Sequence, residues 1–141
     1  MYVNVPFHGL IEGLGSASAL LVALFLLMLS RYQKGWDNYI WVACGLIVLA
    51  ILDTFHSLND DINDFSVWMR SSAAFWSSFC FALCWLPDRI VRRPNHKMLS
   101  FGAAILAMLF GAAFLILPSA MPAMIDQGNF TSTVMVINLV A

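Results

Sequence analysis

Four stretches of this chain are apolar for too long to belong to a water-soluble domain. They run over about residues 8–30, 38–57, 65–87 and 98–117, or 23, 20, 23 and 20 residues. A helix rises about 1.5 Å per residue and a hydrocarbon core is about 30 Å thick, so each stretch is long enough to cross one. A backbone in lipid must satisfy its own hydrogen bonds, which leaves helices or closed barrels. The run Ala19-Leu20-Leu21-Val22-Ala23-Leu24-Phe25-Leu26-Leu27 has no period-two polarity, against a barrel. The sequence therefore predicts an all-α fold: a single polytopic membrane bundle over residues 1–141, with four transmembrane helices and the start of a fifth. The fifth run, 131–141, is too short to span alone and implies that the native chain continues or was trimmed. Composition agrees: 61% of residues are hydrophobic and 11% charged, against about 45–50% and about 25% in soluble domains. A net charge of -1 without a long basic run excludes nucleic-acid binding, and the hydrophobicity excludes disorder.

The connections carry their own signals. Pro6 suits the first turn of the first helix, Asp37 and Asp64 are candidate N-caps for the second and third, Pro87 and Pro94 bracket the connection to the fourth, and Pro118 follows it. The start, Met1-Tyr2-Val3-Asn4-Val5, lacks the cation and cleavage motif of a signal peptide. Segments 31–37 and 88–97 hold Arg31, Lys34, Arg89, Arg92, Arg93 and Lys97, six of the seven Lys and Arg. Segments 58–64 and 118–130 hold Asp60, Asp61, Asp64 and Asp126 but no cation. Cations mark the cytoplasmic side, so the N-terminus is expected outside, in the periplasm for a bacterial inner membrane. Tyr32, Trp36, Tyr39 and Trp85 then fall at the inner interface, and Tyr2, Phe7 and Trp68 near the outer one.

Ionisable residues inside the spans are the functional clue, because each costs several kcal/mol in lipid unless paired or hydrated. They are His8 and Glu12 in the first span, Asp53 and His56 in the second, and Arg70 in the third. Glu12, Asp53 and Arg70 each sit four or five residues from an outer helix end, roughly 6–8 Å deep. Trp68, Ser57, Ser71 and Ser72 fall near the same level and complete a candidate pocket. His8 and Glu12 are spaced i,i+4, and Asp53 and His56 i,i+3, so each pair shares a helix face. Two helices each offering an imidazole and a carboxylate resemble helical-bundle metal sites, with zinc, iron, copper or nickel as candidate ions. Alternatively, the carboxylates orient the imidazoles from behind and His8 and His56 hold haem b. Two further readings stay open: a structural network in which Arg70 neutralises Asp53 or Glu12, and a pocket for an organic ligand. In a buried pair, Arg70→Leu would cost a few kcal/mol.

Other residues read more plainly. Cys44, Cys80 and Cys84 are small apolar residues of the inner halves of their helices, without CxxC spacing. His96 sits in a basic connection, solvated or at lipid headgroups. Small residues at four-residue spacing (Gly9, Gly13, Ala17 and Gly15, Ala19, Ala23) suit close packing of helices, within a homodimer or a membrane complex. No hydrolase, zinc-protease or phosphate-loop motif is present, so no enzymatic activity is expected of this chain.

Three segments together resemble a known class: Phe7-His8-Gly9-Leu10-Ile11-Glu12-Gly13-Leu14-Gly15, the stretch from Gly45 through Ile51-Leu52-Asp53-Thr54-Phe55-His56-Ser57, and Val67-Trp68-Met69-Arg70-Ser71. Over about residues 7–87 this resembles the multi-spanning sensor domains at the N-termini of bacterial histidine kinases and diguanylate cyclases. In that class His-x-x-x-Glu opens the first helix, Asp-x-x-His closes the second and Trp-x-x-Ser opens the third. The resemblance implies roles for His8, Glu12, Asp53, His56, Trp68 and Ser71, and implies a signalling output. No PAS, kinase or cyclase segment lies within these residues, so the output is expected beyond residue 141 or in another chain. The competing expectation is an accessory subunit of a larger membrane complex, in which the polar residues only hold helices together. A fragment of a membrane metal hydrolase or of a transporter fits less well, because neither further ligands nor a broken-helix pair is present.

Overall fold

A computed structural model describes residues 5–33, 38–57, 63–86 and 95–141, except the side chains of Val5, Pro6, His8, His96 and Lys97. Its elements are α1 (Val5–Tyr32), α2 (Tyr39–His56), α3 (Asp64–Cys84), α4 (His96–Ile116), a 3-10 turn (Pro118–Ala120), a hairpin of β1 (Ile125–Asp126) and β2 (Asn129–Phe130), and α5 (Ser132–Val140). The all-helical expectation holds. α1 begins at residue 5 rather than 8, and α3 stops at Cys84, short of the expected 87, with Trp85 as its cap.

Contacts across the helices give an up-and-down order. Glu12 near the start of α1 meets His56 at the end of α2. Gly45 early in α2 faces Ser77 and Phe81 late in α3, and Gly111 late in α4 faces Phe55 late in α2. α2 is the central element: half of its apolar window is buried, against 17% in α1 and 11% in α4. Both close approaches require glycine. A Cβ on Gly45 would lie 2.6 Å from the Phe81 ring, and one on Gly111 would lie within the Phe55 ring's contact radius. Val48, Leu52, Phe65, Met69, Ala73 and Ala107 form the main core between α2, α3 and α4, while Ala23, Ala43 and Ile47 join α1 to α2.

Among the described residues, three helices are long and apolar enough to cross a membrane: Gly9–Tyr32, Tyr39–His56 and Met98–Ile116. α3 is as long as α4, 21 residues, but Asp64, Arg70 and serines 66, 71, 72, 77 and 78 lower its apolarity.

Among the described residues, the small-residue spacing of α1 marks a contact at Ala23, against Ala43 and Ile47, but not at its glycines. A Cβ on Gly9, Gly13 or Gly15 would meet nothing within 4 Å. Of the six small residues, Ala23 alone is fully buried.

The caps correct the sequence reading. Asn63, not Asp64, is the N-cap of α3: its side chain accepts from the Ser66 N–H at 2.8 Å, and the Ser66 hydroxyl faces the Asn63 N–H in return. Asp64 is thereby released for a different task. Its Oδ1 accepts from the backbone N–H groups of Met124 and Ile125, at 2.9 and 2.8 Å, and clamps the hairpin onto the start of α3. The hairpin turns at Gln127 and Gly128, both with positive φ (48° and 80°), as a type I′ turn requires. Asn38 precedes α2 at the N-cap position, and Asp37 lies outside the described residues.

Candidate functional site

His56 is the last residue of α2 and links three helices. Its Nδ1 lies 2.8 Å from the carbonyl oxygen of Ser66 on α3. A carbonyl only accepts, so Nδ1 carries a proton and donates it. The other nitrogen, Nε2, lies 3.2 Å from Oε1 of Glu12 on α1. With Nδ1 already protonated, a neutral ring would turn a lone pair toward that oxygen. The contact is therefore attractive only if the pair holds one further proton, either on Nε2 as imidazolium or on the carboxyl group of Glu12. The two side chains are 18% and 11% exposed, so water competes little for that proton.

One turn deeper on α2, Asp53 Oδ1 receives a hydrogen bond from Arg70 Nη1 of α3 at 2.8 Å. Asp53 is mostly buried, but the Arg70 side chain is 56% exposed. Of the two acids weighed for Arg70, Asp53 is the partner, and the pair is only partly buried: the long arginine stem reaches outward while one nitrogen holds the aspartate. The electrostatic neighbours of Asp53 include His56 and Glu12 as well as Arg70, which puts all four on one patch of the bundle.

The other expected residues divide. His8 is one turn before Glu12 on α1, and its side chain lies outside the described residues. Ser57 directs its hydroxyl to the Thr54 carbonyl of its own helix, at 2.9 Å. Ser71 and Ser72 are buried on α3. Trp68 packs against α4, with ring centroids 6.1 Å from Phe110 and 5.5 Å from Phe114, and its indole N–H has no hydrogen-bond partner among the described residues. It closes α3 onto α4. Two participants were not expected. The Ser66 backbone fixes the His56 tautomer, and nothing in a sequence announces a carbonyl acceptor. Asn63 positions that carbonyl, and its spacing to Ser66 is a readable capping pattern.

Among the described residues, no three of His, Cys, Asp and Glu converge as a metal-holding group. Nε2 and Oε1 stand 3.2 Å apart, a hydrogen-bond separation. Comparison of the chain with protein-family models, with curated proteins and with solved structures found no match.

Proposed function

We propose that this chain is a membrane sensor module of a bacterial signalling protein, set in the inner membrane with four spans and its N-terminus outside, and that its ligand is read by the Glu12–His56 pair. The observation that carries this reading is the position of His56 between Glu12 of α1 and the Ser66 carbonyl of α3. His56 Nε2 would hold the ion in place of its contact with Glu12, which would change how α1 is held, while the Nδ1 bond to Ser66 keeps the ring aimed. Such a bond behind a ligating imidazole fixes its tautomer and orientation. Glu12 would be a second ligand, with His8 and Asp53 as candidates to complete the set. Haem ligation by His8 and His56 would instead require Nε2 to leave Glu12 altogether. The bound ion or haem would supply the binding energy that separates two packing states of the bundle.

The test is metal analysis, visible spectroscopy and thermal stability of the purified protein with Zn²⁺, Cu²⁺, Fe²⁺ or haemin, repeated with His8→Ala and His56→Ala. Binding and a thermal shift that both variants abolish support the reading. No bound group and no shift with any of the four would refute it.

One observation favours the accessory-subunit reading. α1 and α4 leave most of their apolar surface uncovered, with Leu21, Leu24, Phe25, Phe101, Leu106 and Leu109 all exposed. A larger complex would cover such faces, as would lipid. Co-purification of a partner that is lost when these residues are made polar, together with a metal-free pair, would decide for it.

A further inference from the structure

From the Trp41 end of the bundle to the level of Leu52, one residue before Asp53, α3 and α4 do not close. A cleft of about 680 Å³ separates them, floored by Trp41, Cys44, Val48 and Leu52 of α2. Its walls are almost wholly apolar, including Cys80 and Leu83 of α3 and Gly102, Ala103 and Ala107 of α4. From Trp41 to Leu52 the floor rises eleven residues, about 17 Å. One leaflet's share of a hydrocarbon core of about 30 Å is about 15 Å. The cleft thus has the length of a single acyl tail. Trp41, in the first turn of α2, lines the end of the cleft at the start of that helix, and its buried indole N–H has no hydrogen-bond partner among the described residues. Tryptophan at a helix end sits at the depth where hydrocarbon gives way to polar headgroups, and a buried N–H without an acceptor is costly.

We propose that this cleft is a binding site for one membrane phospholipid, with an acyl chain along Cys44, Val48 and Leu52 and a glycerol ester carbonyl accepting from Trp41. The phospholipid is favoured over a second copy of the chain for two reasons. The cleft is one leaflet long, and of its two polar lining residues, Trp41 and Asn95, Trp41 has a buried donor without a partner among the described residues. In a bilayer the lipid is also the solvent, so an apolar cleft open to it fills by mass action. The site is separate from the Glu12–His56 pair and stands or falls independently of it.

Native mass spectrometry of the full chain, released from vesicles of a single phospholipid, tests this directly. Gly102→Phe adds a bulky ring to the wall of the cleft at a position where the Cβ itself meets nothing within 4 Å. The expected result is one retained phospholipid per chain, at least tenfold lower occupancy in Gly102→Phe, and about two- to tenfold weaker retention in Trp41→Phe. Circular dichroism and thermal unfolding confirm that both variants fold. Equal retention in folded Gly102→Phe, a chain released bare, or a dimer that excludes lipid from the cleft would each overturn the assignment. So would a quinone retained in place of phospholipid when the protein is taken from native membranes.

Discussion

Replacing Glu12 removes one side of the contact that ties the start of α1 to the end of α2. The size of the effect follows from the geometry. A hydrogen bond to a charged group contributes about 1.5–3 kcal/mol. At 18% and 11% exposure the two side chains lie where water replaces little of that loss, so Glu12→Ala is expected to cost about 2–3 kcal/mol. Glu12→Gln should cost about 1 kcal/mol or less, because an amide can either donate to a bare Nε2 or accept from a protonated one. The assay is reversible unfolding in mixed detergent micelles, with Glu12→Ala, His56→Ala and the double variant forming a cycle. The expected coupling energy is about 1.5–2.5 kcal/mol. Hydrogen exchange should rise in the first turns of α1 and remain unchanged around Ala23, where packing against Ala43 and Ile47 persists. A coupling below about 0.5 kcal/mol, the ordinary scatter of independent sites, would refute the argument, as would a glutamine variant as unstable as the alanine one.

Three other outcomes follow from particular contacts. Asp64→Ala should expose the Met124 and Ile125 amides to exchange and loosen the hairpin by about 2 kcal/mol or more, because two charge-assisted bonds are lost; Asp64→Asn should fall between the variant and the parent. Gly45→Leu should destabilise by about 1–3 kcal/mol through overpacking against Phe81, whereas Gly13→Ala should be neutral or stabilising by up to about 1 kcal/mol, since its Cβ meets open space; thermal midpoints compare the two. Arg70→Leu should cost about 1 kcal/mol or less, because the Arg70 side chain is over half exposed, and a loss of several kcal/mol in the same assay would restore the buried-pair reading.

The parts of the fold that depend on hydropathy were legible, and those that depend on particular hydrogen bonds were not. Four long apolar runs gave α1 to α4 because lipid-like composition and length leave a backbone few alternatives. The shared level of Glu12, Asp53, His56 and Arg70 was readable from depth along antiparallel helices, and the structure joins them in two pairs. Which acid meets which cation was not readable, because rotation about a helix axis is set by packing. Here that packing includes the approach of α2 and α3 at Gly45. The role of Asp64 was misassigned because an acidic residue at a helix start serves equally as a cap or as an acceptor for a distant backbone. Asn63 one position earlier takes the cap. The hairpin at 125–130 went unread because two-residue strands leave no periodicity, although Gln127-Gly128 is a turn signal.

The Glu12–His56 contact also sets a condition on any ligand that uses His56. Nε2 is already engaged, and Nδ1 is held by Ser66, so an ion bound at Nε2 would have to replace the contact with Glu12. If that contact contributes about 2 kcal/mol, the apparent affinity for the ion is lowered about thirtyfold relative to a ring with a free Nε2. The same 2 kcal/mol is what binding can deliver to the position of α1, because a ligand shifts an equilibrium only by its differential affinity for the two states. Glu12→Gln weakens the contact and leaves His56 in place, so it should tighten Zn²⁺ binding if Glu12 acts only as the competing partner, and loosen it if Glu12 is itself a ligand. Titration of Zn²⁺ into the parent and the Glu12→Gln protein separates the two by the sign of the change. An unchanged affinity would mean that the ion does not reach this pair.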